Sequence, residues 1–295
     1  MTKRRAKDLR IGLLFISPWL IGLFLFHVLP LSSSLYYSFT NYSVIRSPKW
    51  IGLENYKLLL NDRSFRISVK NSFYFTCIGV PLMQIAALIL ASMLHSVKGS
   101  KIMRWARVIY LFPILIPGVV MAIIWSLLLN GQYGVFNFLI RSLGLNPPNW
   151  LQDPTWAKPA IILVGFWFIG NSMLIYLTAL NDVPKELYES AKIDGANWWT
   201  KLRKITVPMI SPAILFNLIT GMITILQLFD LPYVMTKGGP VKSTYTWTMH
   251  IYDNAFRFLS MGYACASAWI LFGVTLLLTI LIFVMSRKSI YYGGE

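Results

Sequence analysis

The sequence predicts an all-α polytopic membrane protein with six transmembrane helices, and three observations predict it. Of 295 residues 56% are hydrophobic and only 13% charged, with mean hydropathy +0.58, a composition foreign to soluble domains. Six apolar runs reach the roughly 20 residues that cross a hydrocarbon core. More than half of the 27 Lys and Arg residues fall in the short segments 1–10, 97–107, 181–206 and 287–295, which alternate with longer, less basic loops. The positive-inside rule therefore predicts a multi-pass cell-membrane protein with both termini in the cytoplasm.

A basic segment, 1–10, precedes the first span, 11–31. Lys3, Arg4, Arg5 and Lys7 before it and Ser32-Ser33-Ser34 after it also suit a secretory leader. The apolar run exceeds the 7–15 residues of a leader core, so a retained span is expected. In the outer loop 32–71, Arg46, Lys49, Lys57, Arg63, Arg66 and Lys70 face Glu54 and Asp62. That loop reads as a partner-docking surface or as a guide for acidic substrate. The second and third spans are expected at 72–96 and 108–130.

In the fourth span, 157–180, Val164, Trp167, Phe168 and Asn171 follow the i, i+3, i+4, i+7 spacing of one helical face. Aromatic rings stack on sugar faces and amides bond hydroxyls, although such stripes also serve helix packing. In the fifth span, 207–229, Asn217, Thr220, Thr224 and Gln227 share a sector about 80° wide at 100° per residue. Uncharged polar groups there either bond neighbouring helices or wall a polar path. The sixth span, 261–286, completes a single transmembrane domain over 11–286, and 287–295 forms a tail.

Between the fourth and fifth spans lies the inner segment 181–206. Asp182 is expected to cap a helix with Pro184 in its first turn. Glu186 and Glu189 then suit the positive end of the helix dipole and Lys192 the negative end. Asp194-Gly195 reads as a stop and restart, glycine tolerating left-handed geometry and the aspartate capping a second short helix. The outward face of this bent hairpin is expected to carry Tyr188, Glu189, Lys192, Trp198 and Trp199.

Several function classes lose support. There is no glycine loop with its phosphate-binding lysine, and His27, His95 and His250 lack metal-ligand spacing. Cys77 and Cys265 read as small core residues. The net charge of +16 suits insertion and contact with anionic membrane lipid, with no nucleic-acid partner implied. No span carries an ionisable residue near its middle and Asp230 is expected at a membrane edge, which argues against a self-contained secondary transporter. A membrane enzyme would need acids or histidines clustered at one face, and the only acid-rich face is the hairpin.

The order Glu189-Ser190-Ala191, two residues, Asp194-Gly195-Ala196, a basic-aromatic run, Ile205, then Pro208 and Pro212 resembles the cytoplasmic coupling loop of ABC importer permeases. Pro18-Trp19, Gly52-Leu53-Glu54-Asn55-Tyr56, and Thr236-Lys237-Gly238-Gly239-Pro240 with Ser243-Thr244 and the segment 252–256 extend the likeness over most of the chain. It is similar to binding-protein-dependent carbohydrate-uptake permeases of the maltose and glycerol-phosphate type. That resemblance implies the type I ABC importer permease fold and a transport subunit rather than an enzyme. It implies ATPase coupling through Glu186, Tyr188, Glu189, Ser190, Ala191, Asp194, Gly195 and Ala196, with Ser190 standing where alanine is usual. Val164, Trp167, Phe168, Asn171, Gly221, Thr224, Ile225 and Gln227 match sugar-site positions, to which the polar stripe adds Asn217 and Thr220.

The implied partners are a second homologous permease in a heterodimer, two ATPase subunits, and an extracellular or periplasmic solute-binding protein. The chain itself takes no cofactor, ATP and Mg being bound by the partner subunits. Several site residues differ in type from the maltose pattern, so the implied cargo is a sugar rather than maltose. A non-sugar solute such as glycerol phosphate is the alternative.

Overall fold

Proline placement decides where the apolar runs stay helical. A proline ring clashes with the carbonyl four residues back and leaves it without a donor. In a computed structural model of the chain, which describes residues 3–96 and 101–287, three prolines sit just after a widened π turn. Phe24–Val28 precedes Pro30, Phe75–Gly79 precedes Pro81, and Leu202–Thr206 precedes Pro208. The extra residue in each turn makes room for the ring, and the helix continues. Met1, Thr2, 97–100 and 288–295 lie outside the described residues, and with them parts of the expected basic inner segments and nearly all of the tail.

The third span lacks that device. Pro113 opens a 3-10 turn, Phe112–Leu115, and Ile116 is forced extended (φ −89°, ψ 124°) by the following Pro117. Trp105–Leu115 and Gly118–Leu128 consequently meet at 103°. The expected uninterrupted span at 108–130 is thus a sharply broken pair. The fourth run is also bent, by 49°, between Pro154–Phe168 and Gly170–Asn181. Four helices are long and apolar enough to cross a membrane outright (Ile11–Ser38, Arg63–Ser96, Ser211–Thr236 and Met261–Ser286), and six spans result when each bent pair counts as one.

The chain divides into two compact units. One comprises residues 1–62 and 251–271. Its first helix buries none of its most apolar stretch, leaving that face for lipid or another subunit. The Gly52–Tyr56 motif organises its outer loop. Gly52 turns at φ +62°, Asn55 donates to the Ser38 and Thr40 carbonyls at 2.9 and 2.8 Å, and the Tyr56 hydroxyl meets the Ser38 hydroxyl at 2.8 Å. Gly262 packs directly on the Thr40 carbonyl, where any Cβ would collide.

The second unit, residues 63–250 and 272–295, holds the second to fifth spans. Its densest packing lies between the second span and Gly170–Asn181. Phe75, Trp125, Ile161 and Val164 centre one buried cluster, and Ala87, Met173, Tyr176 and Ile210 another. The Gly238-Gly239-Pro240 loop is pinned to the second span. Asn71 donates to the Lys242 and Tyr245 carbonyls at 2.8 and 2.9 Å, and the Ser72 hydroxyl accepts from the Trp247 amide at 2.9 Å.

Candidate functional site: a hairpin joined to a polar cavity

The inner hairpin forms as two short helices, Lys185–Ile193 and Trp198–Lys201. Glu186 in the first turn and Lys192 in the last occupy the dipole-favoured ends as expected, whereas Glu189 lies mid-helix. Gly195 takes φ +72°, and the Ala196 amide bonds the Ala191 carbonyl at 2.9 Å to close the helix end. Both expected caps are different residues. Asp182 terminates the preceding helix, so Pro184 takes the N-cap position with no side-chain bond. Asn197, not Asp194, caps the second helix through the Thr200 amide at 2.8 Å, because Gly195-Ala196 is needed to complete the turn first.

Tyr188 also departs from expectation. Rather than facing outward with Glu189, it is half-buried against the Met173–Tyr176 cluster, and its hydroxyl meets that of Thr206 at 2.9 Å. The hairpin is thereby fastened to the foot of the fifth span. The other four residues expected on the outward surface are exposed there, Glu189 and Lys192 with Trp198 and Trp199 at 73% and 61%, joined by Ile193 at 87% and by exposed Glu186 and Asp194. Ser190 turns its hydroxyl back to the Glu186 carbonyl at 2.9 Å, satisfying it within its own helix.

From Trp198 to Leu226 the chain is one near-continuous helical stack. Pro212 has no N–H for the Pro208 carbonyl, and the Ser211 hydroxyl donates to that carbonyl instead, at 2.7 Å. The Ile210 and Ile214 amides maintain the ladder on either side at 3.0 Å each.

Higher on the same helix, the second, third, fourth and fifth spans line an open-sided cavity of about 380 Å³. Six of the expected path residues line it: Phe168, Asn171, Thr220, Gly221, Thr224 and Ile225. Four do not. Val164 is fully buried in the core cluster with Phe75, Trp125 and Ile161, and the 3-10 turn Phe166–Phe168 takes the residues after it out of helical register with Val164. Trp167 lies outside the cavity lining, edge-on to Trp125 at 5.7 Å. Asn217 is 1% exposed and donates to the Ser172 carbonyl at 3.2 Å, a helix-packing role. Gln227 ends the helix Ser211–Leu226 and lies off the lining.

Sequence reasoning missed Gln84, Ser172, Gly118 and Asp230. Gln84 ties three spans together: its amide donates to the Asn217 carbonyl at 3.2 Å and the Ser172 hydroxyl at 3.4 Å, and accepts from the Tyr176 hydroxyl at 3.0 Å. Gly221 leaves room for it, since a Cβ there would lie 2.9 Å from the Gln84 amide nitrogen. A polar residue at mid-span was the available signal for Gln84. Asp230 joins the lining because the fifth span continues, after a break at 227–229, through Asp230–Thr236.

A second cleft, about 440 Å³, lies among the turns of 130–152. Its amides are occupied with one another: Asn137 donates to the Gly131 and Pro148 carbonyls and accepts from the Trp150 indole, and Asn149 bonds Gln152. It is a self-satisfied loop structure, and the cavity beside the fifth span is the better candidate path.

The sequence matches the model of a family described as binding-protein-dependent transport system inner membrane component over residues 84–289. It is 37% identical to a probable ABC transporter permease protein of Bacillus subtilis (strain 168), covering 100% of this chain and 97% of that one. It is 35% identical to the lactose transport system permease protein LacF of Rhizobium radiobacter, over 94% of each, and 32% identical to the trehalose/maltose transport system permease protein MalF of Thermococcus litoralis (strain ATCC 51850 / DSM 5473 / JCM 8560 / NS-C), over 90% of each. A chain of a bacterial alginate ABC transporter, crystallised with an alginate pentasaccharide-bound periplasmic protein, shares the fold at TM-score 0.86 and 23% identity, with 97% of this chain and 96% of that chain covered.

Proposed function

Because the chain belongs to the family of binding-protein-dependent transport system inner membrane components, we propose that it is the permease subunit of an ATP-driven importer whose cargo is a sugar. Relatives named for lactose, trehalose/maltose and starch degradation products support a saccharide cargo. The cavity supports it independently: it combines a ring from Phe168 with hydroxyls and an amide from Thr220, Thr224 and Asn171, the mixture that suits a hydroxylated ring.

The observation that carries the reading is the join between hairpin and cavity. An exposed apolar face of Ile193, Trp198 and Trp199 is suited to bury against a separate ATPase subunit. Tyr188 and the proline-bridged stack transmit its displacement to the helix carrying Thr220 and Thr224. Closure of two ATPase subunits on ATP draws two such hairpins together and tilts the spans above them. The cavity, shared with a second homologous permease, then opens outward to a solute-binding protein; hydrolysis resets it inward. ATP and Mg are bound by the ATPase partners, this chain performs no catalysis, and both termini are cytoplasmic.

The test is a Glu189→Lys variant of the assembled transporter. Its side chain is exposed, so folding is expected to survive. Stimulated ATPase activity and uptake should both fall about tenfold or more; normal values of both in an assembled complex would overturn the reading.

A further inference from the structure

Asp230 stands apart from everything else on the cavity wall. Of the residues that line the cavity it alone is ionisable. Among the described residues its carboxylate makes no hydrogen bond and no ion pair, and it is exposed to the cavity. The other polar groups are largely engaged. Gln84 is held by Asn217, Ser172 and Tyr176, and the Thr220 and Thr224 hydroxyls donate to the Phe216 and Thr220 carbonyls at 2.8 Å each. Asn171, the Ser172 hydroxyl as a donor, and Asp230 remain with unused bonding capacity.

The carboxylate is positioned by its backing. It lies in the first turn of Asp230–Thr236, and its Oδ2 faces Gly118, where an added Cβ would come within 3.1 Å. Gly118 is the residue that follows the 103° break of the third span, so the break and the absence of a side chain together give the acid its place on the wall.

We propose that Asp230 is a charge filter of the path: it admits neutral or amino-bearing polyhydroxylated solutes and excludes anionic ones such as uronates, sulfonated sugars and phosphate esters. Sugar hydroxyls donate to a carboxylate, and an ammonium adds an opposite charge. The anionic group of a uronate, sulfonated sugar or phosphate ester offers acceptors without donors and brings a like charge close to the carboxylate, where repulsion persists at separations shorter than the screening length. This inference deepens the sugar-importer reading and rests on it for the cargo, while the charge of the wall can be measured without any cargo.

The experiment uses the full chain in its assembled transporter, with the free cysteines Cys77 and Cys265 replaced by alanine and Thr224→Cys placed on the cavity wall. Labelling rates are measured with small methanethiosulfonate reagents of opposite charge. The cation-to-anion rate ratio should fall about fivefold in Asp230→Asn, the scale of one charge acting across a hydrated cavity, and hold in Asp230→Glu. An unchanged ratio in Asp230→Asn overturns the filter. In the same samples maltotriose and a glucosamine trisaccharide should slow labelling, whereas trigalacturonate should do so only in Asp230→Asn. Equal protection by trigalacturonate with Asp230 present also overturns it. A shifted ratio with no protection by any trisaccharide leaves the filter standing and removes the sugar reading.

Discussion

Tyr188→Phe and Tyr188→Ala separate the two ways in which the hairpin is held to the fifth span. The phenylalanine variant removes only the bond to Thr206, 2.9 Å long. Thr206 retains a second acceptor, the Lys201 carbonyl at 3.3 Å, so no buried donor is stranded and the loss is about 1 kcal/mol. That shifts the balance between fastened and loosened hairpin roughly fivefold. The alanine variant also removes the ring from the cluster around Tyr176; for a half-buried aromatic the combined cost is about 2–3 kcal/mol, below that of a fully buried one. Both leave Ile193, Trp198 and Trp199 in place, so ATPase binding persists. The assay is ATP hydrolysed per solute transported in proteoliposomes. It should rise modestly for phenylalanine and severalfold for alanine. An alanine variant that assembles and keeps the parental ratio would refute the view that Tyr188 transmits force.

Three further substitutions probe other contacts. Gly262→Ala places a Cβ against the Thr40 carbonyl and should destabilise the unit formed by residues 1–62 and 251–271 by on the order of 2 kcal/mol or more, seen as a lowered melting temperature in detergent; an unchanged melt would show that this contact is loose. Asn171→Ala, on the cavity, should raise the KM of uptake about fivefold by removing a cargo hydrogen bond, whereas Gln227→Ala, off it, should leave KM unchanged. The reverse pattern would relocate the path.

The spans and the bent hairpin could be read from the sequence because their signals are local: apolar length, basic loops, and a glycine at positive φ. The break in the third span was also written locally, in Pro113 and Pro117, but hydropathy averages over both and treats the run as one helix. Tyr188 shows the limit of a surface reading, since only the foot of the fifth span, folded back beside it, offers Thr206 and draws the ring inward. The fourth-span stripe held only in part, Phe168 and Asn171 reaching the cavity and Val164 and Trp167 not, for a similar reason. Helical spacing presumes 100° per residue, and the turn at Phe166–Phe168 breaks that count, so Val164 before it faces the core while Asn171 after it faces the cavity. Gln84 and Asp230 acquire meaning only from partners or vacancies contributed by other spans, Asn217 and Gly118 among them.

The central claim is that the exposed tip of the hairpin is the surface a separate ATPase grips. It is tested most directly by Ile193→Cys in a chain lacking Cys77 and Cys265, purified with its associated subunits and treated with a short thiol-anchored photocrosslinker. Ile193 is 87% exposed in the isolated chain and should give an adduct of this chain with the ATPase subunit, its yield changing with ATP. A complex in which the ATPase copurifies yet no such adduct forms, with Ile193→Cys still freely reactive to thiol reagents, would contradict the account.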